Sequence, residues 1–309
     1  MISFLKLIRY KNLLMVLLTM VLTKYALIHS FITNSYLSNL DFSILALSIL
    51  LITAGGYIIN DIYDVEADKI NKTNKVFIDV FISKKNAWIS YFLMTFIGLC
   101  LGVYLSFIKY FNFYSLYFII TIITLFLYSK YLKNKLFLGN FLVAFLCALV
   151  IYLIYIFDYW VDEKDFFEFV EIDRIPDIQF VKVFIIFYII FSFFISLIRE
   201  IIKDIEDING DLKIKAKTLP IVIGRKRASK VAFFFSAILL VFLLIILQSL
   251  KNEVVFLIYG IIFILLPLLY FLYKLWIAES KKDFSYLSNL MKFIMLFGIL
   301  SMLLFKFLD

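Results

Sequence analysis

The chain has 309 residues, 64% of them hydrophobic and 17% charged, with a net charge of +8 and a mean hydropathy of +1.00. Soluble domains carry about 25% charged residues, so this composition excludes a water-soluble globular protein. A disulfide scaffold is excluded too, because Cys100 and Cys147 both fall inside apolar runs and read as small core residues.

The leading segment MISFLKLIRYKN runs without a small-residue cleavage pattern into an apolar stretch over 12–32, which reads as an uncleaved first span. Eight further stretches follow at 42–60, 87–108, 112–128, 137–157, 179–198, 229–249, 254–276 and 291–308. Each is near the ~20 residues that a helix needs to cross the hydrocarbon core. Backbone polar groups find no water there, so the spans are read as helices, and the chain as an all-α, polytopic membrane protein forming one domain over 1–309. His29, the only histidine, stands in the first span and is expected to be packed or lumen-facing.

Most of the 31 Lys and Arg lie in the N-terminal tail and in the connections after the second, fourth, sixth and eighth spans. By the positive-inside rule the N-terminus and those connections face the cytoplasm, across a cell (cytoplasmic) membrane. Topology and attraction to anionic lipid account for this basic charge, and no nucleic-acid-binding fold fits nine spans. The segment 158–178 is acidic and aromatic on the opposite face, and Asp158, Asp162, Asp165 and Glu168 are read as part of a solvated cap.

Two connections carry chemistry. After the second span come Asn60, Asp61, Asp64 and Asp68; after the sixth come Asp204, Glu206, Asp207 and Asp211. Asn60, Asp64 and Asp68 stand four apart, as do Asp207 and Asp211, so on a helix each set shares one face. Like charges so placed repel, and oxygen-rich sites of this kind suit Mg2+, which bridges a few carboxylates to a substrate phosphate. One such cluster alone could equally be a hydrated loop; it is the recurrence that points to a site. An EF-hand fails, because with Asp207, Asn209 and Asp211 as its first three ligands Leu212 would fill the position that requires Gly. Lys203, Lys213, Lys215 and Lys217 among the second set of acids suit a polyphosphate bridged by metal. Lys130 and Lys133, in YSKYLKNKLFLGN, lie on the same membrane face and otherwise read as positive-inside lysines.

The run NDIYDVEAD resembles the NDxxDxxxD motif of the UbiA superfamily of intramembrane prenyltransferases, and DINGD resembles its second, DxxxD motif. RYKN near the N-terminus, YSKYLK after the fourth span, Gly139 with Asn140, and KTLPIVIG after the second motif extend the similarity over nearly the whole chain. The resemblance implies nine transmembrane helices in a ring around a central cavity, with both motifs facing it under a cytoplasmic cap. It implies that Asn60, Asp64 and Asp68 bind metal and diphosphate, and that Asp207 and Asp211 form the second metal site, with Asp61 in the motif but less secure as a ligand. Lys130 or Lys133 would contact the diphosphate, as would Lys203, and Lys75 sits where many members have Arg. One departure is that the proline-rich stretch many relatives carry next is replaced by Lys75, Val76, Phe77, Ile78, Asp79 and Val80, so this loop is expected to be less pre-set.

REIIKDIEDINGD followed by KTLPI is most similar to the branch that includes digeranylgeranylglyceryl phosphate synthases, and also resembles chlorophyll synthases. The activity implied is Mg2+-dependent geranylgeranyl transfer from its diphosphate to a hydroxyl of membrane-embedded geranylgeranylglycerol phosphate, with Asp204 or Glu206 available as base. The 37 Phe and 20 Tyr could include rings that stabilise an allylic cation, though core and lipid-facing positions account for most. The alternatives are prenylation of an aromatic ring in quinone synthesis and, in another class, an isoprenoid or lipid transporter whose intramembrane charges mark a path.

Overall fold

The structure, a computed structural model, describes residues 2–32, 36–71, 77–109, 112–159 and 175–307. Lys75 and the outer acids Asp162, Asp165 and Glu168 lie outside the described residues. The helices are α1 (Ile2–Leu7), α2 (Tyr10–Phe31), α3 (Asn39–Asn71), α4 (Lys84–Lys109), α5 (Ser115–Lys130), α6 (Leu138–Tyr159), α7 (Ile175–Lys213), α8 (Leu219–Ile223), α9 (Arg225–Ser249), α10 (Val254–Ile277) and α11 (Lys281–Phe307). Each of the nine apolar stretches falls on one of them. Eight are long and apolar enough to cross a bilayer, and the remaining one, α5, is apolar but has 16 residues. The chain is an all-helical, multi-pass membrane protein.

Two helices are far longer than a bilayer requires. α3 has 33 residues and α7 has 39. At 1.5 Å per residue they run about 50 and 58 Å, against about 30 Å of hydrocarbon. The surplus carries the acidic motifs, so the connections expected from residue 61 and from residue 199 are helical in their first part, up to Asn71 and Lys213. Nothing between Tyr57 and Asn71 is a Gly or Pro that would stop the helix earlier. α7 ends where Lys215 turns into the left-handed region at φ 57°, letting the Ala216 amide cap the Asp211 carbonyl at 2.9 Å.

The chain forms two compact units. The first comprises Met1–Leu17, Leu37–Leu142 and Asp207–Val222. Its most extensive pairing is α3 against α4, which depends on small residues, as association inside a membrane does. The Ser48 hydroxyl donates to the Gly98 carbonyl at 2.6 Å, and a Cβ at Gly98 would stand 3.0 Å from the Ser48 carbonyl oxygen. At the motif end of α3, Leu7, Ile58, Ile59, Ile62, Ile78, Ala87 and Tyr91 form a buried cluster. Ile78 comes from the connection between α3 and α4. There Asp79 adopts φ 64° and its amide donates to the Ile82 carbonyl at 2.9 Å. The expectation that this connection is less pre-set for want of prolines is therefore corrected for residues 77–82: a buried isoleucine, worth about 1.5–3 kcal/mol, anchors them instead.

The second unit comprises Leu18–Tyr36, Val143–Glu206 and Ile223–Asp309. Phe305 sits in an aromatic cluster with Phe31, Phe184, Tyr188 and Phe256, and Tyr188 shares a 2.8 Å hydrogen bond with Ser301. α10 widens into a π turn over Gly260–Leu265 just before Pro267, whose ring removes a backbone donor. α2 widens likewise over Thr23–Ile28.

That turn of α2 brings a second correction. Asp158 does not belong to a solvated cap: it lies in the last turn of α6, and Lys24 Nζ donates to its Oδ1 at 3.0 Å with both side chains fully buried. His29 is not isolated either, since its Nε2 stands 3.6 Å from Asp158 Oδ2, within ion-pair reach though beyond a hydrogen bond. A lysine inside a span requires a counter-charge, and the carboxylate that supplies it is 134 residues away in sequence.

Candidate active site

The first motif occupies the last three turns of α3, and the second the last two turns of α7. Carboxylates at these positions face the negative end of the helix dipole as well as each other, a double reason to attract cations. Protein cations meet part of that demand in the first motif. Arg9, in the turn between α1 and α2 at φ 52°, donates from Nη2 to Asp61 Oδ1 at 2.8 Å. Burial disfavours the Arg9 charge, but Asp61, with Tyr57 and Asp64 behind it, outweighs this and holds the guanidinium pKa above its ordinary value. Asp61 is thereby held in an ion pair with Arg9.

Asp64 is held differently. Asn60 Nδ2 donates to its Oδ2 at 2.8 Å, and Lys133 Nζ binds its Oδ1. An ionised carboxylate only accepts, so the Asn60 amide nitrogen must face it and Oδ1 must point away. That Asn60 Oδ1 is buried without a hydrogen-bond partner. A buried carbonyl oxygen left uncommitted beside a carboxylate is a donor set suited to a hard cation such as Mg2+. Among the described residues no three His, Cys, Asp or Glu side chains are gathered closely enough to hold a metal alone. An ion here would complete its shell from water or a phosphate-bearing ligand, which is how Mg2+ is ordinarily held.

The two lysines that the sequence left as alternatives are separated by a change of direction. α5 ends at Lys130, which is exposed, with its Nζ 5.8 Å from the ring centroid of Phe126 and 4.9 Å from that of Tyr131. The single turn Leu132–Asn134 then reverses the chain and brings Lys133 to Asp64. Gly139, at the start of α6, leaves room for that turn: a Cβ there would lie 2.8 Å from the Lys133 Cα and 3.2 Å from the Leu132 carbonyl oxygen. The same turn meets the second motif's connection, where the Lys217 amide donates to the Asn134 carbonyl at 2.8 Å. Asp64, Lys133, Asn134 and Lys217 thus form a chain of contacts in one unit that also holds Asp207 and Asp211. Asp68, Asp207 and Asp211 are half-buried. Lys203 belongs to the other unit and donates to both carboxylate oxygens of Glu200 at 3.0 Å.

Sequence reading missed the partners rather than the motifs. Arg9 was visible in RYKN and Lys217 in KTLPIVIG, but pairing over 52 residues, or a backbone bond to Asn134, has no local signature.

A polytopic helical protein with an acid-and-lysine face on the overhanging end of α3 is the class that fold and site define. Residues 13–297 match the UbiA prenyltransferase family, and the chain belongs to that family. It is 35% identical over 199 residues to digeranylgeranylglyceryl phosphate synthase of Saccharolobus solfataricus, a match covering 63% of this chain and 60% of that protein. With the synthase of the same name from Methanococcoides burtonii it shares 34% identity over 257 residues, covering 81% of this chain and 79% of the relative. Matches to the relatives therefore span from less than two thirds to about four fifths of their length. Among solved structures, work on digeranylgeranylglyceryl phosphate synthase in membranes gives a chain with a TM-score of 0.64 at 24% identity, covering 99% of this chain and 98% of that one. A UbiA homolog from Archaeoglobus fulgidus bound to GPP and Mg2+ gives a TM-score of 0.61 at 16% identity, covering 97% and 99%. Both share the fold.

Proposed function

We propose that this chain is a prenyltransferase that moves a geranylgeranyl group from its diphosphate to a hydroxyl of geranylgeranylglycerol phosphate, as a single catalytic domain in the cytoplasmic membrane. The observation that carries this reading is Asp64, held between Asn60 and Lys133 with a buried amide oxygen to spare. The relatives' shared name supports the acceptor, and the GPP- and Mg2+-bound homolog supports the donor class. Asn60, Asp64 and Asp68 on one helix, and Asp207 and Asp211 on the other, would hold Mg2+, which as Lewis acid neutralises the charge that builds on a diphosphate leaving group.

The chain's own groups do the rest. With the Asp64 carboxylate given over to a cation, Lys133 would be placed to bind a diphosphate oxygen, and its charge would serve the leaving group without leaving the site. Asn60, fixed by its bond to Asp64, presents Oδ1 in one orientation. Asp61 stays with Arg9 and keeps the helix end in place. Asp204 and Glu206, both half-buried on α7, are the carboxylates available to take the acceptor's proton. The N-terminus and both motifs face the cytoplasm, the side of the basic connections.

The deciding experiment supplies purified protein with Mg2+, labelled geranylgeranyl diphosphate and a panel of glycerol phosphate and aromatic acceptors, read by product mass. Product with the glycerol phosphate lipid, reduced at least about 100-fold by EDTA and restored by excess Mg2+, is the expected outcome. Product only with aromatic acceptors would move the chain to the quinone branch, and uptake of diphosphate without turnover on any acceptor would make it a carrier. A second expectation follows from Gly139: Gly139→Ala pushes backbone against backbone in the Leu132–Asn134 turn, displaces Lys133 from Asp64, and raises KM for the diphosphate about tenfold or more. An unchanged KM would remove Lys133 from the proposed role.

A further inference from the structure

A second charged cluster lies on α7 that the diphosphate site does not use. Glu200 is buried and is bound by two cations: Arg199 Nη1 donates to Oε1 at 2.9 Å, and Lys203 Nζ donates to Oε1 and Oε2 at 3.0 Å. Both cations therefore converge on one carboxylate. The Arg199 side chain is 14% exposed, and its Nε is buried with no hydrogen-bond partner. Native proteins rarely leave a buried donor idle, least of all a charged one, and each instance calls for a reason. The cluster is not sealed, since the Lys203 side chain is 26% exposed. Cys147 of α6 lies against Ser196, one turn before Arg199, and within electrostatic reach of Arg199, Glu200 and Lys203, and it is exposed.

We propose that Arg199 and Lys203 form the seat for the anionic headgroup of the acceptor, a phosphate monoester carried on a lipid. This rests on the prenyl-transfer reading above for the identity of the acceptor. The Nε edge of a guanidinium presents parallel donors that match two phosphate oxygens, and an arginine stays charged under all conditions of interest. Glu200 holds both cations by hydrogen bonds, so a monoester meets donors whose geometry is already set. The donor diphosphate has a different provision: its carboxylates call for metal, whereas here the single carboxylate is saturated by protein cations and no metal is needed. This reading reassigns Lys203 from the donor to the acceptor.

Two arms test it. In the first, Cys100→Ser leaves Cys147 as the sole thiol, and its labelling by a neutral maleimide is timed with geranylgeranylglycerol phosphate, with the dephosphorylated alcohol, or with geranylgeranyl diphosphate. The phosphate-bearing acceptor should slow labelling about fivefold or more, the alcohol should not, and Arg199→Gln should abolish the difference. In the second, Arg199→Gln raises KM for the acceptor about tenfold or more, the scale of a lost charge-assisted hydrogen bond, while KM for the diphosphate stays within about twofold and Arg199→Lys recovers part of the loss. Turnover on the glycerol phosphate lipid without protection of Cys147, protection by the diphosphate alone, or a joint rise in both KM values would overturn the inference and leave the function standing. Protection by the phosphate-bearing lipid without turnover would leave the anion seat standing and sink the function. The labelling arm uses the chain with Arg199 in place, so the test survives a variant that fails to fold.

Discussion

Asp64→Ala and Asp207→Ala should each lower prenyl transfer by about 10³-fold or more, about 4 kcal/mol of transition-state stabilisation, while the yield and thermal stability of folded protein in detergent hold or rise. The two halves of this expectation have separate causes. Activity falls because each acid is argued to serve a cation and a leaving group that no neighbouring side chain replaces. Stability holds because each acid stands among like charges on its own helix face, Asp64 with Asp61 and Asp68 and Asp207 with Asp204 and Asp211. Alanine removes that repulsion and has the higher helix propensity, by roughly half a kcal/mol. In Asp64→Ala the bond to Lys133 is lost as well, but that lysine sits at a partly accessible membrane edge and can turn to water. The pairing of lost turnover with unimpaired folding is read by product assay beside thermal unfolding. Equal loss of folded protein in both variants would show the acids to be structural.

What could be read without coordinates was what repeats locally. Apolar length located the spans, and the four-residue interval put Asn60, Asp64 and Asp68 on one helix face before any helix was seen. The extent of α3 and α7 was harder, because hydropathy ends at the membrane edge whereas the backbone continues until something stops it, and nothing between Tyr57 and Asn71 does. Lys130 and Lys133 could not be told apart because the register of α5 breaks between them at Tyr131, and helix periodicity does not carry across that break. Loss of the family's prolines after the first motif read as a looser loop because proline acts through its own backbone, whereas Ile78 acts through a cluster assembled from α1, α3 and α4. The ion pairs that join separate helices were non-local: Arg9 with Asp61, Lys133 with Asp64 and Lys24 with Asp158 lie 52, 69 and 134 residues apart. Charge in a span announces that a partner exists but not where it is.

The last of these pairs gives the largest stability effect expected in the chain. Lys24→Met takes a charged donor from a carboxylate that has no access to water, and Asp158→Leu takes a charged acceptor from an equally buried ammonium. Breaking a buried pair from one side typically costs about 3–5 kcal/mol, because the remaining charge keeps its desolvation penalty and loses its compensation. His29 cannot step in as placed, since at 3.6 Å its Nε2 is beyond hydrogen-bond distance of Asp158. The double variant Lys24→Met with Asp158→Leu removes both desolvation penalties; methionine matches lysine in volume and leucine exceeds aspartate, so it should regain more than half of what either single variant loses, the remainder being the cost of fitting the larger side chain. Lys24 stands in the π turn of α2, where the ladder of that helix shifts to wider i to i+5 bonds over Thr23–Ile28, and local loosening there should precede loss of the whole unit in the single variants. Thermal unfolding of the four chains in one detergent, with hydrogen exchange over α2, measures the cycle. Losses that simply add in the double variant would mean that the two charges are stabilised independently rather than by each other.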